Sequence, residues 1–327
     1  MDTLYPDLET IWPGWKIEAF LGKGLDGSVY KAARSMNGIV MESAVKIMAM
    51  PEDQYNFAHT QVERVQDFDV DMYRSKADDG ITEIKCLLML KSCSHVVDIE
   101  DFALVKREDD IQWNVYIRME LLRSLVDYLG ERQRLTENQI IKLGLDLSDV
   151  LLQCEKNNIV HRDFKIENTY ITEEGEYKMG DFGIAIKSDE VETKKGNKNY
   201  MAPEVFWERK YGKTSDIYSV GIMLYMLANG NKMPFFDTDY FWADNEEKEQ
   251  AFRRRVNGEK IPDARYASRE LNSIILKALS YEPENRYRDA KALMGALKSI
   301  KGHQSDQGYL QNPAGKTHAH PEESQAW

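Results

Sequence analysis

The sequence predicts an α+β fold of two lobes, a small antiparallel β-sheet lobe carrying one helix and a larger, mainly α-helical lobe. Three observations lead there. Between Trp15 and Val45, short runs of alternating apolar residues (WKIEAFLGKG, GSVYKAA, GIVMESAVKIM) are broken by glycine, the pattern of an antiparallel meander. From Val70 the apolar positions Val70, Tyr73, Ala77, Ile81, Ile84 and Leu88 fall three and four apart, the period of an amphipathic helix. Beyond Leu122 helical periodicity dominates to residue 300.

The elements follow in order. Residues 1–14 form an N-terminal extension, and Asn37-Gly38 is a hairpin turn between two strands. After Met50-Pro51 a polar, acidic segment runs to about Asp69 as a loop or surface helix, and Gly80 falls inside the helix that follows. Strands over 96–105 and 113–121, joined by a charged turn over 106–110, complete a small lobe of five strands and one helix, about 15–121. The large lobe, about 122–300, opens with helices over 124–132 and 136–157, the second started by the capping-box pattern Thr136-Glu137-Asn138-Gln139. Short strands over 169–171 and 177–179 flank the turn Glu173-Glu174-Gly175, and helices over 215–228, 246–257, 268–279 and 288–300 follow. Residues 301–327 are polar and aperiodic and read as a disordered tail, with His303, His318 and His320 as solvated side chains.

Composition excludes several classes. A chain of 327 residues with a net charge of −12 lacks the basic face that general nucleic-acid binding needs. Mean hydropathy of −0.57 argues against a membrane body, and the longest apolar stretches, such as 220–228, are far too short to span a bilayer of about 30 Å. Three cysteines, Cys86, Cys93 and Cys154, lack zinc-finger or redox-pair spacing and read as reduced thiols. No signal peptide is visible, so a cytoplasmic protein is expected.

The chemistry lies in His161-Arg162-Asp163-Phe164-Lys165-Ile166-Glu167-Asn168. An aspartate on a loop can accept a hydroxyl proton, a lysine two residues on can hold a transferring phosphate, and an asparagine five residues on can reach a metal ion. Upstream, Gly22, Gly24, Gly27 and Val29 form G-x-G-x-x-G-x-V between two strand-like runs. That context suits a phosphate lid made of backbone amides and not the strand-to-helix turn of dinucleotide folds. Ala44-Val45-Lys46 follows on a strand, and a lysine there can bridge two phosphates if a carboxylate, Glu83 on the amphipathic helix, orients it. Asp181-Phe182-Gly183 stands thirteen residues after Asn168, where its carboxylate can share a metal with that amide.

These motifs, with Ala202-Pro203-Glu204, Asp216 and Arg286, resemble in content and order the eukaryotic-type serine/threonine protein kinases. The Met119–Leu122 stretch and the long segment before the helix are similar to those of bacterial members. The resemblance spans about 15–300 and implies the bilobal protein-kinase-like fold and transfer of the γ-phosphate of ATP to serine or threonine hydroxyls of proteins, the kinase itself included. By it Asp163, Lys165 and Asn168 are catalytic, and Asn168 and Asp181 hold Mg2+. Gly22, Gly24, Gly27, Val29, Ala44, Lys46, Glu83, Met119, Glu120, Leu122, Tyr170 and Asp181 form the ATP site, with Met119 as gatekeeper and Tyr170 beneath adenine. Leu87, Ile99, His161 and Phe182 would stack as a spine, Glu204 would pair with Arg286, and Asp216 would brace the catalytic loop.

The sequence departs from the family's pattern in three places. Ile166 replaces a proline, Tyr170 is bulkier than the usual leucine, and Asn197 stands where a threonine is common; Asn197 can still donate to Asp163. Arg162 beside Asp163 implies regulation by a phosphate at Thr193, with Ser188 a second site and Lys194 and Lys195 in the cradle. Arg253-Arg254-Arg255 reads as a solvated helix face. A scaffold without turnover would lack a catalytic or metal residue, and a small-molecule phosphotransferase would lack the segment 196–204, so an active protein kinase is expected.

Overall fold

The computed structural model describes residues 8–24, 27–49, 80–106, 113–132, 134–187, 196–208 and 210–300. Helix α1 (Leu8–Ile11) precedes strands β1 (Trp15–Lys23), β2 (Ser28–Met36) and β3 (Ile39–Ala49); helix α2 covers 80–89, and β4 (Ile99–Lys106) and β5 (Trp113–Met119) complete an antiparallel sheet in the order β1-β2-β3-β5-β4. The hairpin at Asn37-Gly38 turns through positive φ at both residues, 53° and 81°, which the pair tolerates.

Strand alternation gives the sheet two working faces. On β3, Val45 and Ile47 point outward into a small core with Ala32, Tyr116, Leu8, Trp12 and Trp15. Their neighbour Met48 packs on the other side with Ile84, Val115 and Ile117. The expected extension therefore belongs in part to the lobe: Leu8 and Trp12 are buried, Trp12 Nε1 donates to Asp101 Oδ2 at 2.8 Å, and the Arg118 guanidinium lies over the rings of both Trp12 and Trp15.

Three elements start or end differently from expectation. β4 begins at Ile99, because Val96 and Val97 instead pair with Met179 across the lobes. β6 (Arg123–Ser124) takes the residue expected to begin a helix, and α3 (Leu125–Arg132) starts after it, where Ser124 Oγ accepts from Asp127 N. The next helix, α4 (Glu137–Lys156), carries both arms of its capping box, Gln139 N to Thr136 Oγ1 and Thr136 N to Gln139 Oε1.

The catalytic stretch follows α4 and β7 (Ile159–Val160), ahead of β8 (Thr169–Ile171) and β9 (Tyr177–Met179); β6, β8 and β9 form one small sheet, and β7 pairs with β10 (Ile186–Lys187) in another. Helices α5 (Pro203–Glu208), α6 (Lys213–Ala228), α7 (Asn245–Val256), α8 (Arg269–Ala278) and α9 (Ala290–Lys298) complete the large lobe. Every residue of α6 from Ser215 to Ala228 is buried, so the helix has no amphipathic stripe and serves as the lobe's axis.

Candidate active site

A cleft of about 880 Å³ opens between the lobes. It is roofed by β1, β2 and the glycine turn and floored by β8 and the loop before it. At Gly27 an added Cβ would stand 2.5 Å from the Ile47 carbonyl oxygen, so the turn lies against β3 as only glycine allows, and Gly24 N donates to Gly27 O across it. Pairing of Val29 with Lys46, and of Ala44 with Met119, lines these four residues along the roof and the back of the cleft.

Lys46 is buried and donates to Glu83 Oε1 at 3.0 Å, Glu83 Oε2 at 2.7 Å and Asp181 Oδ1 at 2.8 Å. Burial alone would push its ammonium down, but Glu83 and Asp181 outweigh it and hold Lys46 far above the ordinary lysine range. Burial would likewise raise Asp181; Lys46 prevails and keeps that carboxyl below its ordinary value. Asp181 adopts a left-handed backbone, φ 58°, which leaves its side chain facing the cleft with 30% exposure.

Asp163 lies on the same cleft. Its Oδ2 accepts from Lys165 Nζ at 2.6 Å and Asn168 Nδ2 at 2.9 Å, and Asn168 also reaches the Asp163 carbonyl at 3.2 Å. Burial works against the Lys165 charge, but Asp163 outweighs it and raises the lysine. Behind the loop, buried Asp216 accepts from His161 N at 2.8 Å and Arg162 N at 3.0 Å. Burial pushes Asp216 up to about 7 and pulls His161 down to about 4, so the imidazole is neutral. Its ring centroid lies 4.3 Å from that of Phe182, and Phe182, Leu87 and Ile99 share one apolar core.

The remaining residues read from sequence are placed as follows. Tyr170, Glu120 and Leu122 line the cleft, and Glu120 pairs with Lys178 at 2.7 Å. Arg286 is fully enclosed and grips both Glu204 oxygens at 2.7 Å. Arg162 donates to the Ile184 carbonyl at 2.6 Å and lies over the Tyr211 ring. Thr193, Ser188, Lys194 and Lys195, with the segment 51–79 and the tail, lie outside the described residues.

Two expectations need correction. Asn197 does not donate to Asp163: its Oδ1 accepts from Asn199 N at 2.9 Å, closing a local turn, and no hydrogen bond joins it to Asp163 among the described residues. Nor is the arginine run all solvated. Arg253 and Arg254 do pair on the surface with Glu249 and Glu259, but Arg255 is buried and donates to the carbonyls of Lys198 and Asn199 at 3.0 and 2.6 Å. Sequence reasoning also missed the clamp on Glu167, which accepts from Tyr200 at 3.2 Å and Tyr240 at 2.7 Å. The signal for Arg255 was its spacing, four and three residues after the buried Ala251 and Phe252.

A lysine held by two carboxylates thus shares one cleft with an aspartate held by a lysine and an amide. The protein kinase domain family matches residues 15–296. The chain belongs to that family. A probable serine/threonine-protein kinase of Clostridium perfringens is 33% identical over 215 residues, 63% of this chain and 30% of the relative. Another, of Clostridium acetobutylicum, is 34% identical over 194 residues, 57% of this chain and 28% of the relative. A serine/threonine-protein kinase of Saccharomyces cerevisiae is 26% identical over 318 residues, 92% of this chain and 26% of the relative. The chain therefore spans under a third of the length of these curated relatives. Kinase domains of this family use ATP with a divalent metal and act on proteins. Among the described residues no helix is long and apolar enough to cross a membrane.

Proposed function

We propose that this kinase domain transfers the γ-phosphate of ATP to serine and threonine hydroxyls of proteins, its own included, and that it works in the cytoplasm. The observation that carries the reading is the Lys46 bridge to Glu83 and Asp181, made in the same cleft that Asp163 faces. The buried thiols of Cys93 and Cys154, neither of them in a disulfide, support a reducing compartment.

Asp163 orients the acceptor hydroxyl and takes its proton, and Lys165, already bonded to Asp163, places positive charge where the phosphoryl group crosses. Lys46 neutralises the inner phosphates while Glu83 keeps it charged and aimed. The glycine turn presents amides to the phosphates; Val29, Ala44 and Tyr170 enclose the base, and the backbone at Glu120 and Leu122 reads its edge. Asp181 and Asn168 offer hard oxygen donors suited to Mg2+, which when bound screens phosphate charge. Thr193 is the proposed regulatory phosphosite, acting through Arg162.

The test is transfer from γ-labelled ATP with Mg2+, to the protein itself and to a generic basic protein, by wild type and Asp163→Asn. Serine or threonine labelling lost in the variant upholds the proposal. Wild-type labelling no greater than the variant's, with ATP binding intact, makes the domain a scaffold and turns attention to Asn197.

A further inference from the structure

Outside the cleft, Cys93, His95 and Asp149 gather where the loop after α2 meets helix α4. One potential ligand atom from each lies within 4.8 Å of the other two. His95 Nδ1 stands 3.0 Å and Cys93 Sγ 3.4 Å from Asp149 Oδ2. Bonds of about 2.0–2.3 Å to nitrogen, oxygen and sulfur around a tetrahedral ion set ligand-to-ligand edges of roughly 3.3–3.7 Å, so small side-chain shifts suffice.

A second observation concerns the ring's far side. His95 Nε2 lies 3.4 Å from Asp146 Oδ1, and Asp146 is fixed by Lys142 at 2.9 Å and by the Tyr177 amide at 3.0 Å. A carboxylate behind an imidazole whose other nitrogen faces a thiol and a second carboxylate is the outer-shell arrangement that orients histidine ligands on metals. Asp146 and Asp149 are three apart on α4 and so share the face that meets the loop. His95 and Asp149 keep partial solvent exposure, which leaves a route in.

We propose that Cys93 Sγ, His95 Nδ1 and Asp149 Oδ2 bind a zinc ion, with water as fourth ligand. Thiolate with imidazole favours zinc over the hard Mg2+ that the cleft takes. The ion staples the loop to α4. That loop is zipped to β9, His95 O accepting from Met179 N at 2.8 Å and Val97 N donating to Met179 O at 3.0 Å, two residues ahead of Asp181. The zinc site thus supports the strand that carries Asp181, apart from the ATP site.

The experiment uses the full chain, freed of metal with a chelator and kept reduced. Zinc is titrated against a chromophoric chelator, and Co2+ is added as a spectroscopic stand-in. One equivalent of zinc taken up, a thiolate-to-cobalt charge-transfer band, and a zinc-induced rise in Tm are expected of wild type and of the control Cys86→Ala. All three should vanish in Cys93→Ser and in His95→Gln, with circular dichroism unchanged. No saturable binding by wild type overturns the proposal and leaves Asp149 as the acceptor of two ordinary hydrogen bonds. Binding that survives both variants also overturns it, by assigning the metal to other residues such as His318 and His320.

Discussion

Arg255 donates to the carbonyl of Asn199 at 2.6 Å, so a guanidinium from α7 is fastened to the backbone of the segment beside the cleft. It also donates to Lys198 O at 3.0 Å and lies within 3.4 Å of Met201 O, and all these acceptors are neutral. Five donors in a planar fork suit such a task, which an ammonium cannot reproduce.

Arg255→Met should therefore raise KM for a protein substrate about tenfold or more, a loss on the order of 1.4 kcal/mol in binding. KM for ATP should stay within about twofold, since among the described residues the hydrogen bonds of Arg255 go to Lys198, Asn199, Met201 and Tyr218 and to none of the ATP-site residues. Steady-state kinetics with each substrate varied in turn checks both. Equal changes in the two constants would defeat the assignment.

Gly180 stands against Tyr170: a Cβ there would lie 3.0 Å from the tyrosine Cε2 and 3.2 Å from Val97 Cγ2. Gly180→Ala should cost about 1–3 kcal/mol by overpacking. In a Tyr170→Leu background the same change should cost less than half as much. A double-mutant cycle by urea denaturation measures the coupling.

Arg286→Met should destabilise by about 3–5 kcal/mol, because it strands the largely buried Glu204 carboxylate as well as the carbonyls of Ser280, Tyr281 and Thr214. Replacing both partners, Arg286→Met with Glu204→Leu, should recover part of the loss. Chemical denaturation of the three variants reads it directly.

Two buried groups make opposing contributions to pH dependence. Asp216 is raised to about 7, so its contribution is complete below the unfolded value near 3.8 and is lost as pH rises toward 7. His161 is lowered to about 4, so its contribution is complete above 6.5 and is lost as pH falls toward 4. Between about pH 4.5 and 6 one proton taken up and one given up on folding cancel. In Asp216→Asn only the histidine remains, and stability should rise with pH more steeply than in wild type by about 1.4 kcal/mol per pH unit. Denaturation midpoints at several pH values test the difference in slope, and parallel curves would refute it.

The site was more legible than the fold around it. Asp163, Lys165, Asn168, Lys46, Glu83 and Asp181 are chemically particular residues at fixed spacings, and all six meet at one cleft. The long helices announce themselves by period and cap, as α4 does through Thr136 and Gln139. By contrast β6, β7 and β10 have two residues each and α1 four, too few for a period to register; tertiary pairing makes them. Asn197 was misjudged because an asparagine can close its own turn as readily as it reaches across a site. Arg255 was misjudged because its residue type outweighed its position on the helix.

The outer wall of the small lobe is built from chain that comes before the sheet. The stretch over which the family is recognisable opens at residue 15, yet Leu8 and Trp12 already cover Val45, Ile47 and Tyr116. A protein trimmed to that boundary would expose three apolar side chains and leave Arg118 with one aromatic ring in place of two. The length that folds is greater than the length that is recognised, and the turn of helix at Leu8–Ile11 is a structural tile of the small lobe.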